Sequence, residues 1–238
     1  MTKNPTRYSV IFLTALCLAF AGLAEAAPKK RPRSQNRIGP YGAAFVGQTV
    51  YTGDQSANEQ ALEDILTFNE IPFQNLTSET DDKDIGYQAT FGYRFHRFFS
   101  AELGLVQYGE MVSKANSELD LGEGFIPAKV SLGYRVGGVL FSAIGVLPIN
   151  DKFEVYARLG YLFASTEREF ISKVEGQTSL SGSAKGDSQD PVFGVGFGWN
   201  INQVYTIRAE YQKIDSVGSS STGSEDLVNY SLGLIVRF

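Results

Sequence analysis

The chain closes on Tyr230-Ser-Leu-Gly-Leu-Ile-Val-Arg-Phe238, in which Tyr230, Leu232, Leu234, Val236 and Phe238 alternate with Ser231, Gly233, Ile235 and Arg237. Successive side chains of a strand point to opposite faces, so a period of two places the first set on one wall. The pattern recurs upstream. Ile85, Tyr87, Ala89, Phe91, Tyr93 and Phe95 alternate with Gly86, Gln88, Thr90, Gly92 and Arg94. Val155, Ala157, Leu159, Tyr161 and Phe163 alternate with Tyr156, Arg158 and Gly160, and Phe193, Val195, Phe197 and Trp199 with Gly194, Gly196 and Gly198. Tyr205, Ile207, Ala209 and Tyr211 alternate with Thr206, Arg208, Glu210 and Gln212. Three less regular strands, over 41–51, 99–107 and 129–147, bring the expected count to eight.

A soluble sandwich alternates too, but its second face meets water and carries many charges. Here that face is Gly, Ser, Thr and Gln with few charges, the lining of a narrow barrel. Short links at 96–97, 148–152 and 200–203 alternate with long ones at 52–84, 110–128, 165–190 and 215–227. This predicts an all-β fold: an eight-stranded antiparallel up-and-down transmembrane β-barrel with short periplasmic turns and long extracellular loops. The aromatics sort by height. Tyr41, Phe95, Phe99, Phe153, Trp199, Tyr205 and Phe238 fall at the short-turn end, and Tyr51, Tyr87, Phe163, Phe193, Tyr211 and Tyr230 at the long-loop end. Two girdles at the lipid headgroups are expected from them.

Residues 1–26 read as a signal peptide: Lys3 and Arg7 precede an apolar run over 10–23, and Ala24-Glu25-Ala26 is a cleavage motif. The run is short for a membrane helix, and no later stretch reaches 18 apolar residues. Cleavage near Ala26 removes Cys17, the one cysteine of the 238-residue chain, which suits an oxidising compartment. Residues 27–37 form a basic periplasmic arm with Lys29, Lys30, Arg31, Arg33 and Arg37, interrupted by Pro28 and Pro32. Residues 38–238 are the barrel domain. A net charge of −5 argues against nucleic acid, and a single His and a single Cys exclude a two-His zinc site and a disulfide framework.

The stretch over 153–160 (Phe-Glu-Val-Tyr-Ala-Arg-Leu-Gly), with Asp190-Pro-Val-Phe193, Arg208-Ala-Glu-Tyr211, Gly92-Tyr-Arg-Phe95 and Ala101-Glu-Leu-Gly104, resembles the OmpA-type eight-stranded membrane domain. The resemblance covers about 38–238. It implies an outer-membrane location in a Gram-negative cell and an assembly signal in Tyr230, Leu232, Leu234, Val236 and Phe238, read by the outer-membrane assembly machinery. The peptidoglycan-binding domain that often follows such barrels is not expected, since the sequence stops at Phe238.

Parity points Arg94, Glu102, Arg158, Arg208 and Glu210 into the barrel, where buried charge is tolerated only when paired. Two readings of this interior network stand: a structural plug, or a gate, because in the resembled family an interior ion pair can exchange partners and open a narrow channel. The positions for the alternative partners fall on Gly198 and Ile144, which disfavours exchange. The first loop carries Asp54, Glu59, Glu63, Asp64, Glu70, Glu79, Asp81, Asp82 and Asp84 against Lys83 alone. Ser56 and Glu59 with Leu62, Ile65 and Leu66 suggest a short helix there. Asp81-Asp82-Lys83-Asp84 lacks the spacing of a calcium loop, Gly194-x-Gly196-x-Gly198 sits inside a strand instead of before a helix, and Asn75-Leu76-Thr77 is a chance sequon.

An enzyme is not expected. His96 sits at a short turn without Ser or Asp partners, and no catalytic, metal or cofactor site is read. The function expected is structural and surface-interacting, with envelope integrity and loop-mediated contact or adhesion. A narrow low-conductance porin is the alternative and a lipid-modifying enzyme a distant third. Expected partners are outer-membrane lipids and lipopolysaccharide, the assembly machinery at Phe238 and an extracellular ligand at the loops. A monomer is expected.

Overall fold

Why the chain turns where it does is clearest at the short links. Asn150 Oδ1 accepts from the backbone N–H of Lys152 and Phe153 at 2.8 and 2.9 Å, and Asn202 Oδ1 from Val204 and Tyr205 at 2.8 Å each. The side chain thus folds its own backbone into a tight turn. Two Ile-Asn pairs, 149–150 and 201–202, build the same device at the same end of the molecule. A computed structural model describes residues 37–52, 73–120, 124–174 and 179–238.

The strands are β1 (Gly39–Tyr51), β2 (Phe73–Asp81), β3 (Lys83–His96), β4 (Phe99–Asp120), β5 (Phe125–Pro148), β6 (Phe153–Val174), β7 (Leu180–Asn200), β8 (Tyr205–Ser219) and β9 (Gly223–Arg237). Every pairing is antiparallel, and β1 joins both β3 and β9 while β4 joins β5, so eight strands close a ring. The ninth, β2, extends the line of β3 and pairs with β4 from Phe73↔Leu119 to Asp81↔Val112. Closure leaves no sheet edge within the ring, the condition for crossing lipid with strands.

Most of the expected long loops are strand. Residues 110–120, 125–128, 165–174, 180–190, 215–219 and 223–227, read as loop from the sequence, lie in β4 to β9. A spanning strand needs about 9–11 residues, whereas β5 has 24 and β6 has 22. The excess stands above the membrane as a sheet of β2, β4, β5, β6 and β7. Over most of it the side chains of both faces are at least partly exposed, with few such as Tyr134 and Thr166 buried, so the apolar alternation that betrays a strand is lost. β8 leaves this sheet early: its last pair with β7 is Val192↔Ile214, next to Pro191, which lacks the N–H for a further ladder bond. The helix expected over 56–66 lies outside the described residues, as do Asp54, Glu59, Glu63, Asp64 and Glu70, the signal peptide and the arm before Arg37.

Two bulges shift the inward parity. Between Gln107 and Glu110 the register slips at Gly109, whose φ is +48°, and Asp84 Oδ2 takes the freed N–H of Glu110 at 2.8 Å. Between Ile214 and Val217 the register slips at Ser216, also at positive φ, and Asp226 Oδ1 receives its N–H at 2.8 Å. Each extra residue turns the next apolar side chain inward, so that Met111 joins Tyr108 and Val217 joins Ile214 on the inner face.

Candidate functional site

The interior is layered. Nearest the short turns lie charges that cross the lumen. Arg158 on β6 donates from Nη2 to Glu102 Oε2 on β4 at 2.8 Å, from Nη1 to Ser142 Oγ at 2.9 Å and from Nε to Glu210 Oε1 on β8. Arg208 on β8 donates to Glu102 Oε1 at 2.9 Å. Its guanidinium carbon stands 4.5 Å from the Tyr156 ring centroid and 5.8 Å from that of Tyr41, so it lies between two aromatic rings. Tyr41 O–H donates to Glu102 at 2.7 Å and Tyr156 O–H to Glu210 at 2.8 Å. Gln212 donates to Glu210 and to Gln88 Oε1, and Tyr108 O–H donates to Gln212 Oε1. These donors complete the carboxylates' coordination, the condition under which buried ions are tolerated.

All five residues predicted for the interior network, Arg94, Glu102, Arg158, Arg208 and Glu210, are buried. Arg94 stands apart from the other four. It pairs at 3.1 Å with Glu154 and donates to the Arg97 carbonyl at 2.6 Å. Glu154 and Arg237 are the residues that sequence reasoning missed, both fully or nearly fully buried. A signal was present: Glu154 shares the parity of Tyr156 and Arg158, and Arg237 that of Gly233 and Ile235. The partner thought to be missing at Gly198 is supplied from across a strand pair. Glu154 is the Cα partner of Gly198, and a Cβ at Gly198 would lie 2.8 Å from Glu154 Cγ, so the glycine makes room for the carboxylate. Glu154 Oε1 in turn stands 3.7 Å from Arg208.

Two aromatics expected in the girdles are inside. Tyr41 and Tyr51 are each 2% exposed. Tyr41 reaches Glu102, and Tyr51 donates to the Tyr108 carbonyl at 2.8 Å and stacks edge-on with Tyr134 at 6.0 Å. For Tyr41 the cause is space left by glycine on the neighbouring strand: a Cβ at Gly92 would meet Tyr41 Cζ at 2.3 Å, just as one at Gly196 would meet Tyr156 Cζ at 2.3 Å. Of the remaining girdle residues, Phe95, Phe99, Phe163, Phe193, Trp199, Tyr205 and Tyr230 are exposed on the outer wall. Phe153, Tyr87, Tyr211 and Phe238 are half-buried there. Phe153 packs on Phe197 at 5.4 Å and Tyr211 on Tyr230 at 5.3 Å. In the closing strand Tyr230, Leu232 and Leu234 are exposed, and His96 is exposed beside Phe98.

Above the ions the lumen turns apolar. Tyr51, Val106, Tyr108, Met111, Tyr134, Val136, Leu140, Leu162, Ala164, Val192, Ile214, Val217 and Leu227 form one buried cluster drawn from β1, β4, β5, β6, β7, β8 and β9. Higher still, outside the membrane, burial raises the Tyr134 hydroxyl to about 12, and its O–H donates to the Val217 carbonyl at 2.7 Å. Burial likewise raises the Glu225 carboxyl, against the opposing pull of Arg168 at 3.9 Å. Among the described residues no group of three or more His, Cys, Asp or Glu is placed to hold a metal ion.

The family model of the OmpA-like transmembrane domain matches residues 46–238. Outer membrane protein A of Shigella dysenteriae is 25% identical over 232 residues, covering 97% of this chain and 55% of that protein. Outer membrane protein A of Klebsiella pneumoniae is 28% identical over 170 residues, covering 70% of this chain and 44% of that protein. The chain thus spans about half the length of the curated relatives it matches. Among solved structures, Ail, the attachment invasion locus protein of Yersinia pestis, superposes with a TM-score of 0.42 at 17% identity, over 84% of this chain and 99% of that one. With a matching family model over most of its length and a closed ring of eight strands, the chain belongs to the OmpA-like transmembrane domain family and is a β-barrel of the Gram-negative outer membrane.

Proposed function

We propose that this chain is a sealed, non-enzymatic barrel with a structural and surface-directed role: it is held in the membrane by its wall and presents the projecting strands outside. The observation that carries this reading is two obstructions in series. The ion network of Glu102, Arg158, Arg208 and Glu210 fills the lower lumen, and the apolar cluster around Leu140, Leu162, Val192 and Ile214 fills the upper one, each of these eight side chains at most 4% exposed. Eight strands enclose an interior only wide enough for side chains, and an apolar plug offers a permeating ion nothing to replace its water. The projecting sheet carries charge pairs suited to a solvated surface, Arg135 with Glu110 at 2.7 Å and Lys185 with Glu167 at 3.1 Å. Lipids and lipopolysaccharide contact the wall, the assembly machinery reads the strand ending in Phe238, and an extracellular ligand is engaged at the projecting tips by a monomer.

One observation favours the narrow-porin reading. Arg208 sits between Glu102 at 2.9 Å and Glu154 at 3.7 Å, so it has two carboxylates to choose from. An exchange there rearranges the lower obstruction and leaves the apolar one untouched, which is why the sealed reading is preferred. Single-channel recording in planar bilayers tests it. The folded chain and its Glu102→Gln variant stay silent, while Leu140→Ala combined with Leu162→Gly and Glu102→Gln conducts. Discrete openings from the unmodified chain would refute the sealed barrel.

A further inference from the structure

The short-turn mouth holds more cation than its partners balance. Five arginines, Arg37, Arg94, Arg158, Arg208 and Arg237, share three glutamates, Glu102, Glu154 and Glu210, and four of the five converge on Glu154. Arg94 stands 3.1 Å and Arg37 3.7 Å from its Oε2, and Arg208 3.7 Å and Arg237 4.0 Å from its Oε1. Since Arg208 also serves Glu102, Glu154 is left to neutralise Arg94 and Arg237 and to share Arg37 with Asp151, whose carbonyl accepts from the Arg37 guanidinium. A desolvated guanidinium without a counter-charge is costly.

The hydrogen-bond inventory shows the same deficit independently. Arg94 Nε, Arg237 Nε and Asn200 Nδ2 are buried N–H donors with no acceptor among the described residues, while Glu154 Oε1 makes no hydrogen bond and stands 3.7 Å from Arg208 and 4.0 Å from Arg237. Arg94 and Arg237 are 2% and 6% exposed. Asn200 and Arg237 belong to one chain of contacts: Arg237 Nη1 donates to Thr206 Oγ1 at 2.6 Å, and Thr206 Oγ1 to Asn200 Oδ1 at 2.7 Å. Arg37, Arg94, Glu154, Asn200, Thr206 and Arg237 all lie at or within two residues of strand ends, so five strands and the arm deliver them to one opening.

We propose that this mouth binds a phosphate-type oxyanion, held by Arg37, Arg94 and Arg237 with Asn200 as a neutral donor. A tetrahedral oxyanion presents acceptors in several directions at once, which suits donors arriving from different strands, and the guanidinium fork pairs with such oxygens two at a time. The sequence before Arg37 adds four more cations, Lys29, Lys30, Arg31 and Arg33. Free phosphate and the phosphate of a lipid headgroup share this chemistry. The inference does not depend on whether the lumen is sealed.

The test is isothermal titration of the full chain, folded in a nonionic maltoside detergent at low salt, with inorganic phosphate, with short-chain phosphatidylglycerol, and with chloride. One saturable site is expected for phosphate or for the lipid, at least tenfold tighter than for chloride; the arm that binds identifies the source. Arg37→Gln, a substitution at a partly exposed side chain, and Arg237→Lys, which keeps the charge and loses the fork, each weaken binding about tenfold or more. Folding of both is checked by heat-modifiable migration. Phosphate and lipid no tighter than chloride, or affinities unmoved in both folded variants, would overturn the proposal and leave water as the occupant.

Discussion

Replacing Arg158 by Met is predicted to be far more damaging than replacing Arg208 by Met, although both are fully buried arginines at the centre of one network. The difference follows from what each leaves behind. Without Arg158, Glu102 keeps Arg208 at 2.9 Å and the Tyr41 hydroxyl at 2.7 Å, whereas Glu210 loses the one cation paired with it among the described residues and retains two neutral donors, Tyr156 and Gln212. An orphaned buried carboxylate costs about 3–5 kcal/mol. Without Arg208, Glu102 keeps Arg158 at 2.8 Å and Glu154 keeps Arg94 at 3.1 Å, so no carboxylate is orphaned and the loss is about 1.5–3 kcal/mol of charged hydrogen bonding. Adding Glu210→Gln to Arg158→Met removes the orphan, while the amide still accepts from Tyr156, so most of the loss should return, a coupling of about 2 kcal/mol or more. The assay is urea unfolding in phospholipid vesicles, followed by heat-modifiable migration and by the fluorescence of Trp199, the one tryptophan. Equal losses for the two arginine variants, or no recovery in the double variant, would refute this account of the network.

Gly196→Ala should cost about 1–3 kcal/mol, because the new methyl meets both the Tyr156 ring at 2.3 Å and the Ala209 carbonyl at 2.6 Å; Gly145→Ala, with nothing within 4 Å, should stay within about 0.5 kcal/mol in the same titration. Asp84→Ala leaves the Glu110 N–H at the bulge without its acceptor, at a cost of about 1 kcal/mol, with faster hydrogen exchange at that amide as the local readout. Glu225, whose carboxyl burial raises, takes up a proton more readily folded than unfolded. The β8–β9 hairpin should therefore gain stability as pH falls from its folded value toward the ordinary glutamate value, and Glu225→Gln should abolish that dependence in hydrogen exchange measured across mildly acidic pH.

The membrane-spanning part of the fold was legible because lipid on one side and a polar lumen on the other impose a period of two on every strand. Where that contrast ends, so does the signal. Residues 165–173, Ser-Thr-Glu-Arg-Glu-Phe-Ile-Ser-Lys, continue β6 without an apolar face and therefore read as loop. Tyr41 and Tyr51 were misplaced for a related reason: β1 is apolar on both faces, with Tyr41, Ala43 and Phe45 buried and Val46 exposed, so hydropathy cannot tell lumen from lipid. What decides it is the absence of side chains on the neighbours, at Gly92 for Tyr41 and at Gly233 for Phe45, and pairing register is not written in either strand alone. Parity counting also fails past a bulge, so Met111 and Val217 could not be placed in the lumen from sequence; Tyr108, Leu140, Leu162, Val192 and Ile214 keep the inward parity of the ions but, being apolar, lacked the polar mark that singled the ions out.

The network's value lies in register more than in net stability. Neighbouring strands are already joined by backbone ladders; the side-chain pairs join strands that are not neighbours. Glu102 on β4 meets Arg158 on β6 and Arg208 on β8, and Arg94 on β3 meets Glu154 on β6. A one-residue slip in any of these strands would turn its interior face to lipid. For β6 that moves Glu154 and Arg158 together, and for β8 Arg208 and Glu210 together, each pair on a single face. An arginine on the lipid face near the midplane costs about 2–4 kcal/mol, and its former partner across the lumen is orphaned for about 3–5 kcal/mol more. The slipped barrel is thus penalised twice for each charge, whereas an apolar lumen of the same volume would slip at little cost, since Leu and Val are as comfortable in lipid as inside. Charge at the centre of a membrane protein is here a device against wrong pairing, and its near-complete hydrogen bonding is what makes the right pairing tolerable.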